Sequence, residues 1–249
     1  ARNIPSAAEL VAVAVADPSP LVRVEAIDAA LDIPGKAAST LSSALTDSDA
    51  TVRRAALERL AKHKDKLDAA ALERALDLGV RDADPDLAQL ALTSVARLAP
   101  KEVVLARLSQ SLASRTERSR AQAAAAAIGL VEHDAALAVQ LLEPLLVDPS
   151  HDVRVAMLPS LAAAYAKVIE PQQLARALRG AERNAMRRLC LTAAFLMLAR
   201  TDAGKTAAEA TLTKVAEGGP PLARWSARLA LGLGDRRADG ITFMQQLVP

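Results

Sequence analysis

The chain has 249 residues, of which 51% are hydrophobic but only 2% aromatic, so its core has to be built from Ala, Leu and Val. A formal net charge of +2 implies no partner by itself, and a single cysteine, Cys190, excludes an internal disulfide. The longest apolar run, 189–199, is too short to span a bilayer, and no alternating run argues for a sheet.

In chain order, residues 6–16 read as a first helix that stops at the turn DPSP, and 21–33 as its partner. IPGK, 33–36, breaks the chain, and 36–46 opens a second hairpin. In DSDATVRRAALERLA, 47–61, Asp47, Ser48 and Asp49 are turn and N-cap residues, and Val52, Ala56 and Leu60 share one helix face. Residues 67–80 and 86–99 form the third pair around DADPDL, and 101–113 and 117–131 the fourth. The fifth opens with 136–148, with Pro144 inside it, and Pro159 interrupts its second helix. A proline removes one helical hydrogen bond, so two in one hairpin predict a local bend. Residues 171–181 with 184–200, and 204–217 with 221–233, make the sixth and seventh pairs, and the tail from Gly234 is a loop with a short capping helix.

The pairs repeat one register. Val22, Val52, Leu87, Ser119, Val153, Met186 and Ala223 stand at equivalent positions. Small or apolar residues follow four positions later at Ala26, Ala56, Ala91, Ala123, Met157, Cys190 and Ala227. One position after the register residue stand Arg23, Arg53, Arg120, Arg154, Arg187 and Arg224, with Ala88 the exception. Five positions before it, Asp17, Asp47, Asp82 and Asp148 mark the turns. A drifting period in the thirties with two helices per unit is the signature of a solenoid.

Asp17…Val22-Arg23…Ala26, Asp47…Val52-Arg53…Ala56 and Asp148…Val153-Arg154 resemble the HEAT-repeat family over nearly the whole chain. The resemblance implies an all-α, right-handed alpha-alpha superhelix of about seven hairpins, here a single domain over 1–249, with the second helices lining the concave side. It implies an interaction scaffold that takes a protein or peptide partner. Two and six positions after the register residue, the concave side turns apolar in the later repeats, which nominates Ala121, Val155, Pro159, Arg188, Thr192, Trp225 and Leu229 as partner-binding residues. Trp225 is either an interface anchor or a cap on the end of the array.

The arginine row has two readings: a ladder of guanidinium groups for anions, or arginines each paired with a turn aspartate of its own or a neighbouring repeat. The second accounts for the matching aspartates, and it leaves Arg120, Arg187 and Arg224, which lack an Asp five positions before the register residue, freer to bind. Arg176, Arg179, Arg183 and Arg187 form a candidate anion patch, if the helix runs on through them. Residues 1–150 hold 17 basic and 21 acidic residues and 151–249 hold 14 and 8, a polarity that admits self-association and a basic C-terminal half. That half sustains an alternative, a nucleic-acid-binding protein resembling the HEAT-like DNA glycosylases. Nucleic-acid binding would nevertheless want a higher charge and stacking aromatics. HEAT-like tetrapyrrole lyases are a third resemblance that no particular residue carries.

No nucleophile, phosphate-loop or dinucleotide motif is present, and His63, His133 and His151 have no ligand at metal spacing. The expectation is no catalysis, no cofactor and no metal. The opening ARNIPSAAELVAVAVA lacks the basic region and cleavage site of a signal peptide, which with the lone cysteine suggests a cytoplasmic protein. Arg outnumbers Lys, as in a GC-rich bacterial genome.

Overall fold

The computed structural model describes residues 6–198, 202–233 and 237–249; it is all-α over them, and it divides into two compact units, residues 1–104 and 105–249. No described helix is long and apolar enough to cross a membrane.

The first unit holds α1 (Ala7–Ala14), α2 (Pro20–Leu31), α3 (Ala37–Leu45), α4 (Ala50–Lys62), α5 (Ala69–Val80) and α6 (Pro85–Leu98). Each begins where local chemistry allows. Ser6 and Glu9 close a capping box on α1, Asp49, Asp68 and Asp84 accept from free N–H groups of α4, α5 and α6, and Pro20 and Pro85 open their helices where no N–H is needed. The IPGK break contains Gly35 at φ 75°, a conformation that other residues rarely adopt. α1 pairs with α2, α3 with α4 and α5 with α6, while α2, α4 and α6 also pack side by side as a layer of second helices.

α7 (Lys101–Leu112) crosses the division. The second unit continues with α8 (Glu117–Ala126), α9 (Ile128–Val131), α10 (Ala135–Leu142), α11 (His151–Val168), α12 (Pro171–Gly180), α13 (Ala185–Leu198), α14 (Asp202–Gly218), α15 (Pro221–Gly232) and α16 (Arg237–Gln246). α8, α11, α13 and α15 form its layer of second helices. Two boundaries differ from the sequence expectation. The 117–131 helix is interrupted at Ala127, and the helix expected over 136–148 stops at Leu142, where a 3-10 turn carries Pro144. Pro159, by contrast, is absorbed inside a continuous α11.

The register residues form the core as the spacing predicts. Val52, Ala56 and Leu60, then Leu87, Ala91 and Val95, then Val153, Met157 and Leu161, are almost completely buried. Met186, Cys190 and Ala194 follow suit. Val22 is the exception, 40% exposed on the first hairpin. Small residues set the helix spacing. A Cβ placed on Gly79 would come within 2.7 Å of both Ala91 Cβ and Leu57 Cδ2, so α5 approaches its neighbours at a distance only glycine permits.

Candidate interaction surface

The turn aspartates and second-helix arginines form a ladder with a definite direction. Arg23 donates from Nε and Nη2 to both carboxylate oxygens of Asp47, at 2.8 and 2.7 Å. Its Nη1 donates to the carbonyls of Asp17 and Pro18 in its own turn. Arg53 repeats this with Asp82 and with the carbonyls of Asp47 and Ser48. Arg120 repeats it with Asp148 and with those of Ser114 and Arg115. Each arginine therefore ties its own turn to the aspartate of the following repeat. The aspartates shape their turns as well, since Asp47, Asp82 and Asp148 accept from the N–H two residues on.

Bidentate hydrogen bonding from Arg23 and Arg120 holds Asp47 and Asp148 below the usual carboxylate range. At Asp82 burial pushes the other way, but the Arg53 hydrogen bond and the Asp84 N–H outweigh it. The ladder is structural, and Arg120 is not freer to bind. It lacks an aspartate in its own turn because its partner, Asp148, belongs to the next one.

Further along, the ladder changes its partners. Arg154 donates to the carbonyl of Asp148 and, in place of a carboxylate, to the carbonyl of Pro249, from Nε at 3.0 Å and also from Nη2. In the sixth pair Arg188, not Arg187, reaches the turn, donating to the carbonyls of Ala181 and Glu182 at 3.3 and 3.1 Å. α13 begins at Ala185, and Arg188 stands three residues in, where Arg53 stands in α4. Arg187 instead meets Glu143 at 3.2 Å, beside the buried Tyr165, whose hydroxyl donates to the same carboxylate at 2.7 Å. Glu182 spans to the next repeat and accepts from the N–H of Ala223 in the first turn of α15.

These contacts redraw the nominated residues. Thr192 is completely buried and donates its hydroxyl to the Arg188 carbonyl at 2.6 Å, so it is out of a partner's reach. Arg188 is engaged with its turn. Ala121 on α8 and Val155 and Pro159 on α11 are half-buried. α16, which the sequence suggests only as a short cap, packs against α13 and α11. Its Gln245 donates from Nε2 to the Val155 carbonyl at 3.2 Å. α12 ends at Gly180, so Arg176 and Arg179 share a helix but Arg183 lies in the following turn. Arg179 and Lys214 line a cleft of about 440 Å³ between α12 and α14.

Trp225 and Leu229 stand on α15, and the sequence missed their companion. Leu222, Trp225 and Leu229 fall at spacings of three and four, with Trp225 49% and Leu222 42% exposed and Leu229 half-buried. Arg224 and Arg228 are exposed on the same helix, and neither makes an ion pair among the described residues. The signal for Leu222 was in the sequence as a position of the same face, one turn before Trp225. Cys190 is fully buried, and burial pushes its thiol far up. Among the described residues no group of three His, Cys, Asp or Glu side chains is placed to hold a metal ion.

Compared with known proteins, residues 7–80 match the family model for HEAT repeats. No curated protein matches the chain.

Proposed function

We propose that this chain, which carries HEAT repeats over residues 7–80, is a non-catalytic scaffold that docks a protein segment on the second helices of its later repeats. HEAT repeats commonly serve as protein-interaction scaffolds. The observation that carries the reading is the α15 stripe, where Leu222, Trp225 and Leu229 lie beside the unpaired Arg224 and Arg228. Exposed apolar surface costs free energy in water, and Trp flanked by Arg is the composition of an interface centre. The chemistry suits a segment with apolar residues at helical spacing and acidic residues beside them. Arg176 and Arg179 on α12 offer a second, weaker attraction for acidic groups.

The test compares capture by the wild type with capture by Leu222→Ala, Trp225→Ala. Both side chains are exposed, so helical content should not change. A protein partner retained by the wild type and lost by the variant is the expected result. Trp225 is the only tryptophan, so its emission should also shift to the blue when the partner is added. Equal capture by both chains, or capture of nucleic acid sensitive to salt, would refute the reading.

A further inference from the structure

α16 is seated on the α11–α13 layer through groups that another helix could supply. Gly240, Met244 and Val248 stand four apart and form its buried row, while Phe243 and Leu247 remain more than one third exposed on its other side. A Cβ on Gly240 would lie 3.0 Å from Leu196 Cδ1, so the first place in the row takes only a small residue. Beside the second place, Gln245 donates to the Val155 carbonyl. That carbonyl is the acceptor that Pro159, with no N–H, leaves unpaired inside α11. Past the third place, the Pro249 carbonyl takes the guanidinium of Arg154.

This last contact is the weak one. Arg23, Arg53 and Arg120 each hold a carboxylate with two N–H groups, whereas Arg154 holds a neutral carbonyl. A charge-assisted bidentate pair is stronger than a bond to a neutral acceptor. A ten-residue helix also has little stability of its own, so α16 depends on this seat.

We propose that the α11–α13 face is an exchangeable docking site of which α16 is the resident occupant. The competing occupant is an amphipathic helix of a partner protein. It carries a small residue, a long apolar residue and a β-branched residue at four-residue spacing, a carboxamide after the second, and an acidic residue where Pro249 stands. The acid gives Arg154 the carboxylate it lacks, and so favours the partner over α16. The inference rests on the scaffold reading, and adds a second surface and the segment that must leave it.

The experiment titrates two fluorescent, C-terminally amidated peptides into the full chain. One has the sequence of residues 237–249, and the other carries Pro249→Asp. The Asp peptide should bind the wild type at least tenfold more tightly than the native-sequence peptide, and Arg154→Met in the chain should remove that preference. Met244→Asp in the chain, which unseats α16, should tighten both peptides at least tenfold, because the tethered competitor is gone. Peptides that bind neither chain, or both chains equally, would overturn the proposal. Hydrogen exchange on the wild type gives a check that needs no variant. α16 amides should exchange at least a hundredfold faster than those of α11 and α13, and equal rates would make α16 a fixed part of the core. Wild-type dimers that dissociate on adding peptide would seat a second copy's α16 instead and overturn the partner assignment. Trp225→Ala should leave peptide exchange unchanged, so failure of the α15 surface and failure of this one are read separately.

Discussion

Gln245 donates its side-chain amide to the main-chain carbonyl of Val155, 90 residues earlier, at the one place in α11 where a helical N–H is missing. Pro159 creates the vacancy four residues after Val155, and α16 fills it. Pro159→Ala should therefore do two opposed things. It restores the helical hydrogen bond and removes a helix breaker, which raises stability by up to about 3 kcal/mol. It also occupies the acceptor that Gln245 uses, so α16 amides should exchange faster although the chain melts at a higher temperature. A higher melting temperature with slower exchange in α16 would show that the Val155 carbonyl is not its anchor.

The ladder makes stability depend on acid in a predictable direction. The folded-state pKa values of Asp47, Asp82 and Asp148 lie below their unfolded values. Their contribution is complete above the unfolded value, about 4, and is lost as pH falls through the lower folded values. Denaturant midpoints should hold steady above about pH 5 and fall steeply below about pH 4. Asp82→Ala, which strands the Arg53 guanidinium and opens the turn before α6, should cost on the order of 2 kcal/mol at neutral pH and flatten part of that acid limb.

Gly79→Ala tests the spacing of the first unit. In an exposed helix the change would stabilise by roughly 0.5–1 kcal/mol through the unfolded chain. Here the added methyl meets Ala91 and Leu57 at 2.7 Å, and α5 must move. Overpacking of this kind costs about 1–3 kcal/mol, so the net effect should be a loss, read as a lower denaturant midpoint.

Tyr165 is the only tyrosine, which makes its ionisation directly visible in the ultraviolet. Burial raises its pKa well above the ordinary value, and the hydrogen bond to Glu143 raises it further. The folded phenol stays protonated where an unfolded one ionises, so its contribution is complete below about pH 10 and is lost as pH rises further. Phenolate absorbance should appear only together with alkaline unfolding, as a single step with loss of helix. A smooth titration near pH 10 in the folded chain would contradict the buried Tyr165–Glu143 bond.

The sequence by itself determined the repeats, because periodic burial is a local property. Val52, Ala56 and Leu60 fall on one face of any α-helix, and an aspartate two residues before an N-cap shapes its turn wherever the chain goes. Hence the hairpins, the core rows and the buried Cys190 were legible. Partners across repeats were not. That Arg120 meets Asp148, that Arg188 rather than Arg187 grips its turn, and that Thr192 faces inward depend on where each helix starts, and a shift of one residue rotates a side chain by about 100°. The largest gap is α16. Its ten residues are barely amphipathic, and nothing local tells Gln245 or Pro249 where to go. Only the tertiary structure brings them to the carbonyl that Pro159 leaves open and to the arginine left without a carboxylate. A buried acceptor and a partly buried guanidinium each need a partner, and they take the one the fold puts within reach.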